Sequence, residues 1–406
     1  MFYRIKQCRA CRSEKLVEVL NLGLQPLSND FRLPGEEVEG FAPLTVLMCM
    51  DCTLAQLSVV VKPQVLYRRY SYVTSKSETM RSHFEDLLDD IIEERGGQTG
   101  FNLLEIGSND GTFLDFCKGV AKSATGFEPA KNLADRADKK GVKTISRLFD
   151  CDSAAFLAST KYRADVIVAR HVFCHVDYWE GFIRGLELVS HENTLIFIEV
   201  PYVGDMLKMN SFDQVYHEHL SYMSFTAMRK LLEKTSLRVH RVIHYGIHGG
   251  AVGIMLRHRA HKAPEHSSIT EYTVKETPQK LHADWIEMAN RASERRTNLW
   301  ELLTELRMRG EKVCGFGASA KATVWINACG LTKKDIAFVC DSTAEKQGCL
   351  VPGTDILVVS ETELMKADYA INFSWNFHKE ISEKRKAFTD KGGKWIQVVP
   401  EVKVLL

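Results

Sequence analysis

Leu103-Leu104-Glu105-Ile106-Gly107-Ser108-Asn109-Asp110-Gly111 is the stretch that decides the fold. Its apolar start reads as a buried strand, the E-x-G-x-x-x-G run as a tight turn, and residues 113–117 as the helix beyond it. Glycine lets the backbone approach a ligand at the carboxyl end of a strand, where parallel sheets bind cofactors. The spacing departs from G-x-G-x-x-G, and no cation stands here to meet a pyrophosphate, which argues against a dinucleotide. Outward from this turn, SATGFEP (123–129) reads as a second strand. It ends in Glu128, about 20 residues on, where a carboxylate binds ribose hydroxyls. ADVIVARHV (164–172) reads as another strand, ending near Arg170 and His171. KNLADRADKKG and YWEGFIRGLELVS read as helices between strands, and NTLIFIEVP (193–201) as one strand more. Such alternation predicts a parallel sheet covered on both faces, hence an α/β fold.

The 406 residues suit two or three domains. Lysine and arginine total 53 against 52 aspartate and glutamate, a net charge of +1, which excludes a basic nucleic-acid sleeve and an acidic tail. No apolar run reaches the roughly 20 residues of a membrane span. MFYRIKQCRACRSEK carries no signal-peptide core, so a cytoplasmic protein is expected. Its eleven cysteines should then be reduced thiols.

Four of them form two C-x-x-C pairs, Cys8/Cys11 and Cys49/Cys52. Two thiolates at this spacing sit on one tight turn, and two such turns close a tetrahedron of sulfur about 2.3 Å from one ion. No position remains for water, so the ion should be structural. Zinc is favoured over a redox pair, unrelated buried thiols or an iron–sulfur cluster. The surrounding segment, to about residue 75, is rich in turn signals and reads as short strands around a local staple rather than an independent core.

A charged helical stretch spans 263–310, with Trp285, Met288, Leu299 and Leu302 near helical spacing. A second alternating unit follows over 311–406. Its turn, Gly315 to Lys321, opens a helix after an apolar strand, and backbone N–H groups there with Ser319 and Lys321 suit a diphosphate. Alternatively, the glycines only permit close helix–strand packing. Trp375 and Asn376 end a later strand, placed either to contact a nucleotide or, for the indole, to fill a core.

The segment 211–222, SFDQVYHEHLSY, sets tyrosine, histidine, glutamate and histidine in succession. The histidines are i and i+2, which is not a zincin spacing. In an extended chain Tyr216 and Glu218 would share one face, His217 and His219 the other. Imidazole titrates near neutrality, a phenol donates to a forming oxyanion, and a carboxylate orients an imidazole. The cluster suits proton abstraction next to a carbonyl.

The strand–turn–acid pattern resembles class I S-adenosylmethionine-dependent methyltransferases. That resemblance implies Gly107 and Gly111 near the methionine moiety, Glu128 on the ribose, and Leu148 or Phe149 near adenine. Glu105, Asn109, Asp110, Pro129 and Arg170 complete the expected cofactor site. The whole chain resembles the sugar C-methyltransferases that act on nucleotide-linked 4-keto-deoxysugars, on LGLQPLSNDF, EIGSNDG, GFEP, FDQVYHEHLSYMS, HGGAV, GFGASAKA and WIQVVPEVKV together. The resemblance implies a zinc module (1–75), a methyltransferase domain (76–262), a helical connector (263–310) and a nucleotide-sugar-binding α/β domain (311–406). It implies His219 as base with Glu218, Tyr216 and His175 beside it, and a tyrosine from RRYSYVTS, either Tyr70 or Tyr72, the former slightly favoured. His171 stands where such relatives commonly carry asparagine. With His248, Ser319, Lys321, Trp375 and Asn376 it makes the expected substrate site. The expected reaction moves a methyl group from S-adenosylmethionine to C3 of a 4-ketosugar, dTDP-linked by preference, through an enolate. Nucleic acid and membrane are not expected partners, and a monomer is compatible. The alternatives are an O- or N-methyltransferase and a non-catalytic binding protein built on the zinc module.

Overall fold

A computed structural model describes residues 1–37, 40–66 and 78–405. The central sheet has seven strands: β1 (Asn102–Ile106), β2 (Ser123–Phe127), β3 (Lys143–Ile145), β4 (Val166–Arg170), β5 (Leu195–Pro201), β6 (Leu237–Tyr245) and β7 (Ala251–His258). Their order is β3-β2-β1-β4-β5-β7-β6. The first five run parallel, while β7 lies antiparallel between β5 and β6. β1, β4 and β5 are almost entirely buried because helices cover both faces, which is why their sequences are apolar without alternation. The chain winds one way from β1 and the other way from β4, so the carboxyl ends of these neighbours open a crevice.

The amino-terminal segment departs from the expectation of short strands. Leu16–Pro26 and Phe41–Cys49 are strands of 11 and 9 residues. With Ala55–Leu57 and Ser221–Tyr222 they form a four-stranded antiparallel sheet. Its apolar face is not left to a staple: Leu20, Leu22, Leu44 and Val46 belong to one core with Trp285, Trp325 and Ile371 from the other end of the chain. The last strand of that sheet comes from the 211–222 segment itself.

The charged stretch is helical, over Ser268–Lys275 and then Pro278–Met308. Thr277 caps the long helix and Pro278 occupies its first turn. Leu281, Trp285, Met288, Ala292, Arg295, Leu299, Leu303 and Leu306 make one buried stripe at spacings of three and four, with Leu302 half-buried at its edge. The carboxyl-terminal sheet runs Val358–Val359, Val339–Cys340, Val313–Phe316, Tyr369–Asn372, Lys394–Gln397, Lys403–Leu405 in space, all parallel except the last. Among the described residues no helix is long and apolar enough to cross a membrane.

Candidate active site

The four cysteines of the paired motifs meet, although about forty residues separate the pairs. Their sulfurs all lie within 4.8 Å of one another, with Cys8 to Cys52 at 3.4 Å and Cys11 to Cys49 at 3.5 Å. Sulfurs at about 2.3 Å from one ion stand roughly 3.8 Å apart, so the donor set fits a tetrahedral zinc. The two turns repeat one geometry: Arg12 N–H donates to the Cys8 carbonyl and Thr53 N–H to that of Cys49, with φ of 64° and 67° at Arg12 and Thr53.

At the crevice, Gly107 has φ of 70°, and a Cβ there would lie 2.2 Å from the Val172 side chain. Only glycine lets the β1 turn lie this close to the chain leaving β4. Glu128, buried at the end of β2, accepts the Asn109 N–H at 2.9 Å and the Ala130 N–H at 2.8 Å, one on each oxygen. Each oxygen keeps a lone pair, which fits a ribose diol. Glu105 and Arg170 pair with each other at 2.7 Å, and the guanidinium lies over Phe84 and Phe113. Asp110 takes the Lys140 ammonium and the Thr112 hydroxyl. Phe149 is packed edge-on to Phe127 and Phe182, whereas Leu148 is 55% exposed and Pro129 is exposed.

Ahead of its closing strand, the 211–222 segment is not extended over 212–219. A 3-10 turn over Phe212–Gln214 is followed by a second turn in which His219 N–H donates to the Tyr216 carbonyl. The i and i+2 facing is therefore void, and Tyr216 and His219 meet instead. The His219 Nδ1 lies 2.9 Å from the Gln214 carbonyl and its Nε2 lies 2.6 Å from the Tyr216 hydroxyl. A carbonyl only accepts, so Nδ1 carries the proton and Nε2 accepts from the phenol. Burial, with the neighbouring His175, holds His219 well below the usual imidazole range, leaving it neutral. His175 donates Nδ1–H to the Glu218 carbonyl at 2.7 Å, and burial pushes it down to about 4. The two rings stand edge to face with centres 5.1 Å apart. Glu218 is buried and takes the Asn29 amide at 2.9 Å; burial raises its carboxyl. His171, with φ of 52°, stands 2.7 Å from Glu199, whose other oxygen accepts from His83 at 2.6 Å.

The comparisons with known proteins agree with this layout. Residues 8–67 match a zinc binding domain model, 78–242 a methyltransferase domain model, and 246–400 a model described as the C-methyltransferase C-terminal domain. The C-methyltransferase NovU of Streptomyces niveus is 31% identical over 407 residues, covering 99% of this chain and 97% of NovU. The chain belongs to the C-methyltransferase family. It is an S-adenosylmethionine-dependent C-methyltransferase of class I fold with a four-cysteine zinc-binding module. Among solved structures, the N-methyltransferase NodS of Bradyrhizobium japonicum with S-adenosylhomocysteine is 14% identical, covering 46% of this chain and 90% of that one, at a TM-score of 0.35. The PH0226 protein of Pyrococcus horikoshii is 12% identical, covering 48% and 98%, at 0.37. Likeness at that level does not bear on function.

In this C-methyltransferase Tyr216, His219 and His175 are in contact, Glu218 turns its carboxyl to Asn29, and His171, just past β4, pairs with Glu199. Tyr70 and Tyr72 lie outside the described residues, as does the side chain of His248. Lys321 donates to Asn376 at 2.9 Å and lies over the Trp375 ring; burial pulls its ammonium down to about 8. Ser319 caps its own helix through the Ala322 N–H. Asn29 and Arg9 were missed. Arg9 donates to the Leu220 carbonyl at 3.2 Å and pairs with Asp177. The amino-terminal module thus helps to build the site, and the LSND motif was the available signal.

Proposed function

We propose that this C-methyltransferase acts on C3 of a nucleotide-linked 4-keto-deoxysugar, with His219 as the base. The observation that carries the reading is the buried, neutral imidazole whose proton is held on Nδ1 by the Gln214 carbonyl, leaving Nε2 as an acceptor toward the Tyr216 hydroxyl. The ketone acidifies the adjacent C3–H; Nε2 takes that proton, and the electron pair moves into the enolate. Tyr216, turned from the imidazole to the forming oxyanion, donates to it, while His175, whose proton is held by the Glu218 carbonyl, packs against the base. Glu218 and Asn29 hold the turn that carries the base. Bound S-adenosylmethionine supplies a methyl activated by its sulfonium, and Glu128 with the Gly107–Gly111 turn would hold it. The reading divides the chain at 75, 262 and 310, and Lys321 offers the positive charge for a diphosphate, dTDP by preference.

A second reading follows from the 2.6 Å bond between Tyr216 and His219. The phenol takes the C3 proton while passing its own to Nε2, so the pair works as one relay.

Solvent exchange at C3 of a dTDP-linked 4-ketosugar tests both. H219N should abolish exchange in deuterated buffer as well as methylation; intact exchange overturns the base. Y216F should leave measurable exchange if His219 acts directly and none if the phenol relays the proton. An O- or N-methyl transfer would produce no exchange at carbon in any variant.

A further inference from the structure

The buried carboxylate of Asp213 has no part in the chemistry above, yet the carboxyl-terminal unit closes on it through two indoles. Its Oδ2 accepts the indole N–H of Trp325 at 3.2 Å and that of Trp375 at 2.7 Å. Trp325 lies on the helix Ala320–Ala328 and Trp375 in the short turn Trp375–Phe377, so both donors belong to the carboxyl-terminal unit. Each indole is fixed in its turn. Phe212 packs on the Trp325 ring with centres 4.5 Å apart. Lys321 lies 4.2 Å from the centre of the Trp375 ring, and a Cβ on Gly249 would come within 2.4 Å of that ring. The first glycine of His248-Gly249-Gly250 is thereby accounted for by the approach of the indole. Arg295 of the long helix, stacked over Trp325, donates to the carbonyls of Asn210 and Pro400 at 2.7 and 2.8 Å.

On the other side of this junction Asp213 and Gln214 share one 3-10 turn. A carboxylate clamped by two donors restrains the backbone of its own turn. The turn's hydrogen bonds, from Gln214 N–H to the Ser211 carbonyl and from Val215 N–H to the Phe212 carbonyl, leave the dihedrals between Asp213 and the Gln214 carbonyl little freedom. The Gln214 carbonyl is the group that takes the Nδ1 proton of His219 at 2.9 Å. Which imidazole nitrogen carries the proton is set by the hydrogen bond that the other makes.

We infer that Asp213 is a positioning residue: held by Trp325 and Trp375 of the carboxyl-terminal unit, it fixes the Gln214 carbonyl that keeps the His219 proton on Nδ1 and Nε2 available as acceptor. The inference rests on His219 being the base. It makes the carboxyl-terminal unit a requirement for proton abstraction without any atom of that unit reaching the reacting carbon.

The experiment compares D213A, D213N, W375F and H219N in the full-length, zinc-loaded protein. D213A should lower kcat for methylation, and C3 exchange on a dTDP-linked 4-ketosugar, about tenfold, with the dissociation constant of S-adenosylmethionine changed by less than about twofold. D213N keeps an oxygen for the indoles and should restore most of the rate, while W375F, which removes one donor and keeps the ring, should fall between. Nitrogen-15 imidazole shifts, with His219 assigned by its loss in H219N, should show a single Nδ1–H tautomer in the wild type and D213N and a mixture in D213A. An unmixed tautomer with wild-type kcat in D213A overturns the inference. So does equal loss in D213A and D213N with donor affinity falling in step, since that marks a merely structural carboxylate. If H219N keeps full exchange, the base reading fails on its own, and the tautomer measurement still decides the role of Asp213.

Discussion

The chain contains the same local device twice, and its two copies behave differently. In the central sheet, the glycine turn after β1 is met by Glu128 from the end of β2, which accepts the Asn109 N–H at 2.9 Å. In the carboxyl-terminal sheet, the turn after Val313–Phe316 is met by Asp341, just past Val339–Cys340, which accepts the Ala318 N–H at 2.7 Å. Both are strand, turn and helix with an acid from the neighbouring strand. In the first, the turn lies against Val172 on the chain leaving β4, at the crevice between β1 and β4. In the second, Asp341 accepts the Thr343 N–H just as Glu128 accepts that of Ala130, but two lysines close on the turn: Lys346 donates to the Ala318 carbonyl, and Lys321 turns sideways to Trp375 and Asn376. A glycine turn therefore marks where a helix begins, and its neighbours decide which side chains cover it.

The contrast can be broken most severely at Gly107. G107A places a Cβ 2.2 Å from Val172 at a φ of 70°. It should weaken S-adenosylmethionine binding, read by calorimetry, by more than about a hundredfold, because strain of roughly 1–3 kcal/mol adds to displacement of the turn. A smaller loss, about ten- to a hundredfold in donor affinity, is expected for E128A, the cost of a hydrogen bond to a charged group. Wild-type binding in E128A would remove the distinction between the two acids.

The pH dependence sharpens the comparison from the side of the second turn. If His219 is the base it must be neutral, and burial keeps it so well below the usual imidazole range, so activity should hold as pH falls through 6.5. Lys321 is cationic only below about 8, so if its charge serves the substrate, kcat/KM should decline as pH rises through that point. K321M should be slower and lack this alkaline limb. The smallest effect belongs to D341A, which should cost stability by about 1–3 kcal/mol through the unpaired Ala318 N–H while leaving donor affinity unchanged. Denaturant unfolding with calorimetry separates the two quantities.

Much of the fold was legible because its signals are local. The apolar runs of β1, β4 and β5, the glycine turn, the helical stripe through Trp285, Met288 and Leu299, and the spacing within each cysteine pair are all properties of a few consecutive residues. The candidate site was legible in its residue types and not in its pairing. Tyr216 and His219 share a face because the chain turns there, and alternation had placed them apart. Asn29 reaches Glu218 across 189 positions, His83 reaches Glu199 across 116, and Trp375 reaches Asp213 across 162, separations at which no periodicity operates. The amino-terminal strands were read as short because their burial partners lie on the long helix and the last sheet.

By itself, then, the sequence determined the secondary-structure alternation, the sulfur donor set and the chemistry-bearing residues, since each follows from side-chain type and near-neighbour spacing. Only the tertiary structure decided which imidazole nitrogen holds a proton, which side chains close on each glycine turn, and that all three parts of the chain share one core. Those outcomes depend on close contacts between distant segments, where burial removes water and leaves each polar group to the single partner that packing brings.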